Sequence, residues 1–102
     1  MNKVTIAIHK LLATTWKGRV LFDINNGECE DFARDVLEIV PQAKEVWSEM
    51  FSMELVGHVW VEYRGKHYDA ECPDGVRDWH DLFIFIRSKN ESNAVQIERG
   101  EG

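Results

Sequence analysis

The segment GHVWVEYRGKHYDAE, residues 57–71, constrains the fold more than any other part of the chain. From Leu55 to Tyr63 the chain is rich in Val, Trp and Tyr, which pack well on a pleated surface and mark a strand. Arg64-Gly65 supplies a tight turn, and Lys66 to Glu71 returns as a second strand. With Tyr63 paired to Lys66 across that turn, Glu62 opposes His67, Trp60 opposes Asp69 and His58 opposes Glu71. Directly paired residues share a face, and side chains alternate with a period of two. The spacing therefore predicts one face carrying His58, Trp60, Glu62, His67, Asp69 and Glu71. Val59, Val61, Tyr68 and Ala70 fall on the other face, apolar enough to be core. Asp69 is then a diagonal neighbour of His58 and Glu71 its direct neighbour. Either carboxylate can hold the imidazole, fix its tautomer and stabilise the imidazolium.

Upstream, the period is helical. Val4, Ile8, Leu11, Leu12 and Trp16 predict a first helix that stops near Lys17-Gly18. Asp23 to Gly27 (DINNG) is turn-forming chemistry. A second helix follows from about Glu28 to Val40, with a stripe of Cys29, Phe32, Ala33, Val36, Leu37 and Val40. Pro41 suits the first turn of a third helix, PQAKEVWSEMF, with Ala43, Val46, Trp47 and Met50 towards the core. Beyond the hairpin, Cys72-Pro73-Asp74-Gly75 breaks the strand and Val76 to Leu82 makes a helical turn. Phe83 to Ile86 reads as a buried third strand, Asn93 to Ile97 as an edge strand, and residues 97–102 as a frayed tail. Helices followed by an antiparallel sheet predict one α+β domain over residues 1–102, with the Cys29 helix packed on the sheet.

Charge and composition remove several function classes. A formal net charge of −6 with no basic run argues against nucleic acid as a partner, because phosphate binding needs clustered Lys and Arg. No apolar run approaches the length of a membrane span, and MNKVTIAIHKLLATTWKG reads as structure, not as a signal peptide. The two cysteines, without secretory context, read as free thiols in a reducing, cytoplasmic setting; the alternative is a Cys29–Cys72 disulfide. A zinc site on Cys29, His58, Cys72 and His80 has no CxxC or HxxxH spacing behind it, so neither metal nor cofactor is expected.

What remains is thiol chemistry. A helix N-terminus favours a thiolate through its partial positive charge and free N–H groups, which can also hold an oxyanion. Taken alone, Cys29 on an apolar stripe reads as a core residue. A helix-start Cys followed by a strand His and a same-face Asp instead predicts a catalytic constellation of Cys29, His58 and Asp69. Glu28, Glu30 and Asp31 pull the other way, since nearby carboxylates disfavour a second negative charge. Cys72 reads as a bystander thiol, Trp60 as core or pocket wall, and His67 as a surface residue near the turn.

At these residues the chain resembles the papain-like cysteine peptidase superfamily, particularly its transglutaminase-like branch. The matching segments are NGECEDFA around Cys29, GHVWVEY around His58 and KHYDAECP around Asp69, within roughly residues 25–75. Transglutaminase-like domains carry a Cys at a helix start, a His-x-Trp strand and an Asp on the next strand. The hairpin is also similar to that of NlpC/P60 proteins, where the third position is usually His, so Asp69 favours the transglutaminase-like side. The resemblance implies a nucleophile at Cys29, a general base at His58 and an orienting carboxylate at Asp69. It further implies acyl transfer from an amide through a thioester, ending in hydrolysis or transfer to an amine. The expected substrate is a peptide or other amide-bearing molecule, including a protein side chain, for a peptidase, amidase or deamidase. The chain departs from the papain pattern in lacking a glutamine shortly upstream of Cys29, leaving Asn25, Asn26 or Trp16 as substitutes. It is also short for the superfamily, with little room for substrate-recognition loops. The alternative is a non-catalytic protein-binding module on the same scaffold, with an unreactive Cys29.

Overall fold

The computed structural model describes residues 1–53 and 55–100, with side chains described as far as Glu91. Helix α1 spans Lys3–Ala13, where Asn2 accepts a hydrogen bond from the Thr5 N–H at 2.9 Å and so caps the first turn. Val4, Ala7, Ile8 and Leu11 form its buried face at helical spacing. The helix ends a few residues short of the expected stop, and the chain turns through Gly18 at a φ of 80°. The DINNG segment is not a simple turn: Leu21–Asn25 forms a short helix, α2, anchored by wholly buried Ile24 and Asn25. Helix α3, Cys29–Ile39, matches the predicted second helix within a residue at each end and buries Phe32, Ala33 and Val36.

The expected third helix over PQAKEVWSEMF is absent. Lys44–Trp47 is strand β1, followed by a 3₁₀ turn over Ser48–Met50. Ala43, Val46, Trp47 and Met50 do recur at helical spacing, but the edge of the next strand needs a partner, and pairing overrides local pattern. Val46 is buried while Trp47 and Met50 are exposed, as a strand and not a core-facing helix requires. Strand β2 is Val59–Tyr63 and β3 is Lys66–Tyr68, in the antiparallel order β1-β2-β3. The hairpin register is the predicted one, Val61↔Tyr68, Glu62↔His67 and Tyr63↔Lys66, closed by Arg64 and Gly65 at φ 50° and 79°. Paired positive φ values match the twist of a two-residue hairpin loop. The ladder is shorter than expected: it stops at Tyr68, so the pairs Trp60–Asp69 and His58–Glu71 do not form, and Leu55 to His58 precede the strand.

After β3 the chain loops back. His67 and Val76 exchange backbone hydrogen bonds of 2.7 and 2.9 Å, and Gly75 sits against the Tyr68 ring at a φ of 81°. A 3₁₀ turn over Trp79–Asp81 lies within the expected helical turn. The anticipated strands at Phe83–Ile86 and Asn93–Ile97 are both parts of one helix, α4, Phe83–Gly100. A four-residue apolar run does not distinguish buried strand from buried helix by its period. Here Ile84 and Phe85 are buried while Phe83 and Ile86 are exposed, as on one side of a helix. Residues 97–100, expected to fray, continue α4; Glu101 and Gly102 lie outside the described residues.

The product is an α+β domain in which both faces of the sheet are covered. One face packs Val61, Tyr63 and Tyr68 with Ala70 against α1 and α3. The other carries Val46 and wholly buried Trp60 against Cys72, Leu82, Ile84 and Phe85. The face that carries His58 and Trp60 is therefore a second core, with Phe51, Trp79 and Phe85 around Trp60. Among the described residues, no helix is long and apolar enough to cross a membrane.

Candidate active site

Cys29 is the first residue of α3 and half-buried, while His58 stands immediately before β2. The two meet where the start of the helix reaches the start of the strand. The thiol interacts with the His58 ring and with the backbone N–H groups of Val59 and Glu30. Ser48, itself buried, locks the histidine backbone. Its N–H donates to the His58 carbonyl at 2.9 Å, and its Oγ accepts from the His58 N–H at 3.1 Å. The imidazole lies roughly parallel to Trp60, with ring centroids 5.7 Å apart, and meets the edge of Phe85.

Asp69 completes the arrangement from just beyond the end of β3. Its Oδ2 is 2.9 Å from His58 Nε2, while its Oδ1 accepts from the N–H groups of Glu71 and Cys72 at 3.0 and 2.9 Å. Both oxygens are thus engaged, and the carboxylate has a single orientation. With Nε2 donating to Asp69, Nδ1 is the basic nitrogen of the neutral ring; this tautomer follows from the hydrogen-bond network. Nδ1 is buried and has no hydrogen-bond partner among the described residues, and the Cys29 thiol stands as the ring's other electrostatic neighbour besides Asp69.

Electrostatics follow from these contacts. Burial pushes the Cys29 thiol up, but His58 and the N–H groups of Val59 and Glu30 outweigh it and hold the thiol below its ordinary value. Burial pushes His58 down, yet the Asp69 hydrogen bond and the Cys29 partner leave it above its ordinary value. Both shifts favour a thiolate–imidazolium pair. The acidic neighbours do not prevent this, since Glu28 is paired with Arg19, and Glu30 with Arg34 at 2.5 Å. Cys72 differs sharply: burial and then the Asp69 charge push it up to about 12.

The structure therefore brings Cys29, His58 and Asp69 together and leaves Glu71, the other carboxylate considered for His58, out of contact with the imidazole. Glu71 instead accepts from Asn25 Nδ2 at 2.7 Å and forms two 2.7 Å bonds with Arg87 of α4. His67 is half-buried, not a surface residue, and its Nδ1 accepts from Trp60 Nε1 at 2.9 Å. Among the described residues no group of three or more His, Cys, Asp or Glu side chains is arranged to hold a metal ion.

An open cleft of about 730 Å³ runs past the thiol, between the start of α3 and the β1 side of the sheet. Asn25, Cys29, Glu45, Trp47, Glu49 and His58 are among its walls. Of the three amide or indole groups considered beside Cys29, Trp16 has its single N–H committed to Asp35 at 2.7 Å, while Asn25 and Asn26 each have one N–H of the side-chain amide engaged, by Glu71 at 2.7 Å and by the Phe22 carbonyl at 2.8 Å, and keep the other; of these two, Asn26 is exposed. Asn25 is buried, lines the cleft and is oriented by Glu71. Sequence reasoning missed Glu45, Trp47, Ser48 and Glu49 as site residues because they lie on β1 and the turn after it, inside the segment read as a helix. The chain matches no protein-family model, no curated protein and no solved structure.

Proposed function

We propose that this protein is a thiol hydrolase or acyltransferase acting on amide carbonyls, a peptidase, amidase or deamidase built on a transglutaminase-like form of the papain-like core. One observation carries the reading. His58 is clamped through Nε2 by Asp69 at 2.9 Å, while its other nitrogen is buried without a hydrogen-bond partner among the described residues, and His58 and Cys29 together line an open cleft. A satisfied structural histidine has no need of a cysteine at a helix start with a depressed thiol.

In this mechanism the thiol proton resides on Nδ1 and Cys29 Sγ attacks the amide carbon. The developing oxyanion is received by the Cys29 N–H at the start of α3 and by the Asn25 side-chain amide. Nδ1 then protonates the departing amine, leaving a thioester on Cys29. Water, or an acceptor amine, gives a proton to Nδ1 as it attacks the thioester, and the Cys29 thiolate leaves beside the imidazolium. Asp69 keeps the ring aligned throughout and stabilises its charged form. The buried Asn25 and the Glu71–Arg87 pair behind it provide a rigid second donor in place of the papain-type glutamine.

Intact-mass alkylation tests the reading without a substrate. Wild type is expected to take one iodoacetamide adduct rapidly near neutral pH, at Cys29, and His58→Ala to lose that rapid phase. Slow, equal labelling of Cys29 and Cys72 in wild type refutes the enzyme and leaves a binding module on this scaffold.

A further inference from the structure

The walls of the cleft carry an uneven charge. Glu30, Glu45 and Glu49 line it, and among the described residues no Lys or Arg does. Arg34 neutralises part of this, lying 2.5 Å from Glu30 and 4.0 Å from Glu45. Glu49 has no ion pair among the described residues. The same wall carries Trp47, a large aromatic that is 44% exposed. Register explains the placement: Glu45↔Val61 and Trp47↔Val59 share the sheet face turned towards α3. The cleft is also more than an acidic surface, because His58, 2% exposed, lines it with Nδ1 unpartnered.

We propose that the cleft selects a cationic substrate, a peptide with a lysine or arginine side chain beside the amide attacked by Cys29. An aromatic face attracts the cation and covers its alkyl stem, and an unpaired carboxylate supplies the counter-charge. Trp47 and Glu49 provide those two elements, while the paired Glu30 and Glu45 disfavour an acidic residue in the same place. The net charge of −6 acts in the same direction at longer range, drawing cationic partners towards the molecule. The inference takes its chemistry from the thiol-enzyme reading and adds the substrate class.

Methanethiosulfonate reagents with cationic, neutral and anionic tails separate the two. Each forms a mixed disulfide with the thiolate and releases methanesulfinate. Rates at Cys29 are read by peptide mass mapping and normalised to a small free thiol. The cationic reagent is expected to outpace the anionic one by about tenfold or more at low salt, with the ratio shrinking as salt rises. Glu49→Gln and Trp47→Ala are each expected to reduce that ratio at least about threefold, with each charged reagent's rate read against the neutral reagent's rate in the same variant. Glu38→Gln, the same charge change towards the far end of α3, leaves the ratio within about a factor of 1.5. A wild-type ratio near one, or a ratio that Glu38→Gln moves as much as Glu49→Gln, overturns the proposal. The enzyme reading fails separately, by slow neutral-reagent labelling that does not depend on His58.

Discussion

Replacing Asp69 by Asn isolates the electrostatic part of the site, because shape and backbone bonds are retained. The new side-chain oxygen still accepts from the Glu71 and Cys72 N–H groups, which Asp69 Oδ1 now holds at 3.0 and 2.9 Å. Its amide nitrogen then faces His58 Nε2, where the carboxylate oxygen stood at 2.9 Å. Two donors cannot share that contact, so the neutral imidazole moves its proton to Nδ1, towards the thiol. The lost bond is buried and charge-assisted, worth about 1.5–3 kcal/mol. At 1.36 kcal/mol per pKa unit, removing it disfavours the imidazolium by about one to two units. The Cys29 thiolate loses its counter-ion by the same amount. The sign follows directly. The lower limb of the alkylation profile, set by a thiol now held below its ordinary value, moves to higher pH. Below that limb the Asp69→Asn rate falls by about 10- to 100-fold. Above the ordinary thiol range both proteins react alike. The measurement is the rate of iodoacetamide alkylation at Cys29 from pH 5 to 10, with circular dichroism confirming the fold (assay range about as wide as the ordinary His and Cys values require). A profile that does not move, or one that drops equally at every pH, refutes the reasoning.

Ser48→Ala leaves the buried His58 N–H without its acceptor, at a cost of about 1–3 kcal/mol in denaturant unfolding, and slows Cys29 alkylation by loosening the histidine. Unchanged stability together with unchanged reactivity argues against the clamp. Gly75→Ala places a Cβ 2.5 Å from the Tyr68 ring at a φ of 81°, so a loss of at least about 2 kcal/mol is expected, read as a shift in urea midpoint. A shift below about 0.5 kcal/mol contradicts that packing. Arg87→Ala removes both bonds to Glu71 and lowers stability by about 1 kcal/mol, a modest figure because the arginine is a third exposed. Cys29 alkylation, which needs no oxyanion donor, is expected to stay at the wild-type rate; a large fall there shows that α4 supports the thiol itself.

Strand parity makes the centre of the site legible in the sequence, although the ladder is shorter than parity assumes. Parity puts Asp69 with His58 through a Trp60–Asp69 pair. The ladder in fact stops at Tyr68 and Asp69 reaches the ring from the turn that follows. The grouping survives because one residue beyond Tyr68 still falls on the opposite side from Tyr68. Parity could not separate Asp69 from Glu71, whose fate depends on Arg87 and Asn25, elements distant in sequence. The Cys29 helix was legible because its stripe and its preceding turn agree. The β1 segment was not, since Val46 and Trp47 satisfy a helical period and only the unpaired edge of β2 decides between the two. With β1 went Ser48, Trp47 and Glu49. The second core was hidden for a related reason: Trp60 reads as core or pocket wall, but its partners Ile84 and Phe85 belong to α4, itself disguised as the strand Phe83–Ile86.

One carboxylate serves two masters in this molecule. Asp69 Oδ1 holds the turn that starts the 69–76 loop, and Asp69 Oδ2 holds the imidazole. Closing the loop and arming the histidine are therefore one event. A chain that has paired its hairpin but not yet closed that loop carries an ordinary thiol, chemically quiet towards its neighbours. Reactivity at Cys29 becomes a gauge of completed folding, and under rising denaturant it should fade as the loop opens and withdraws Ala70 and Cys72 from the two cores.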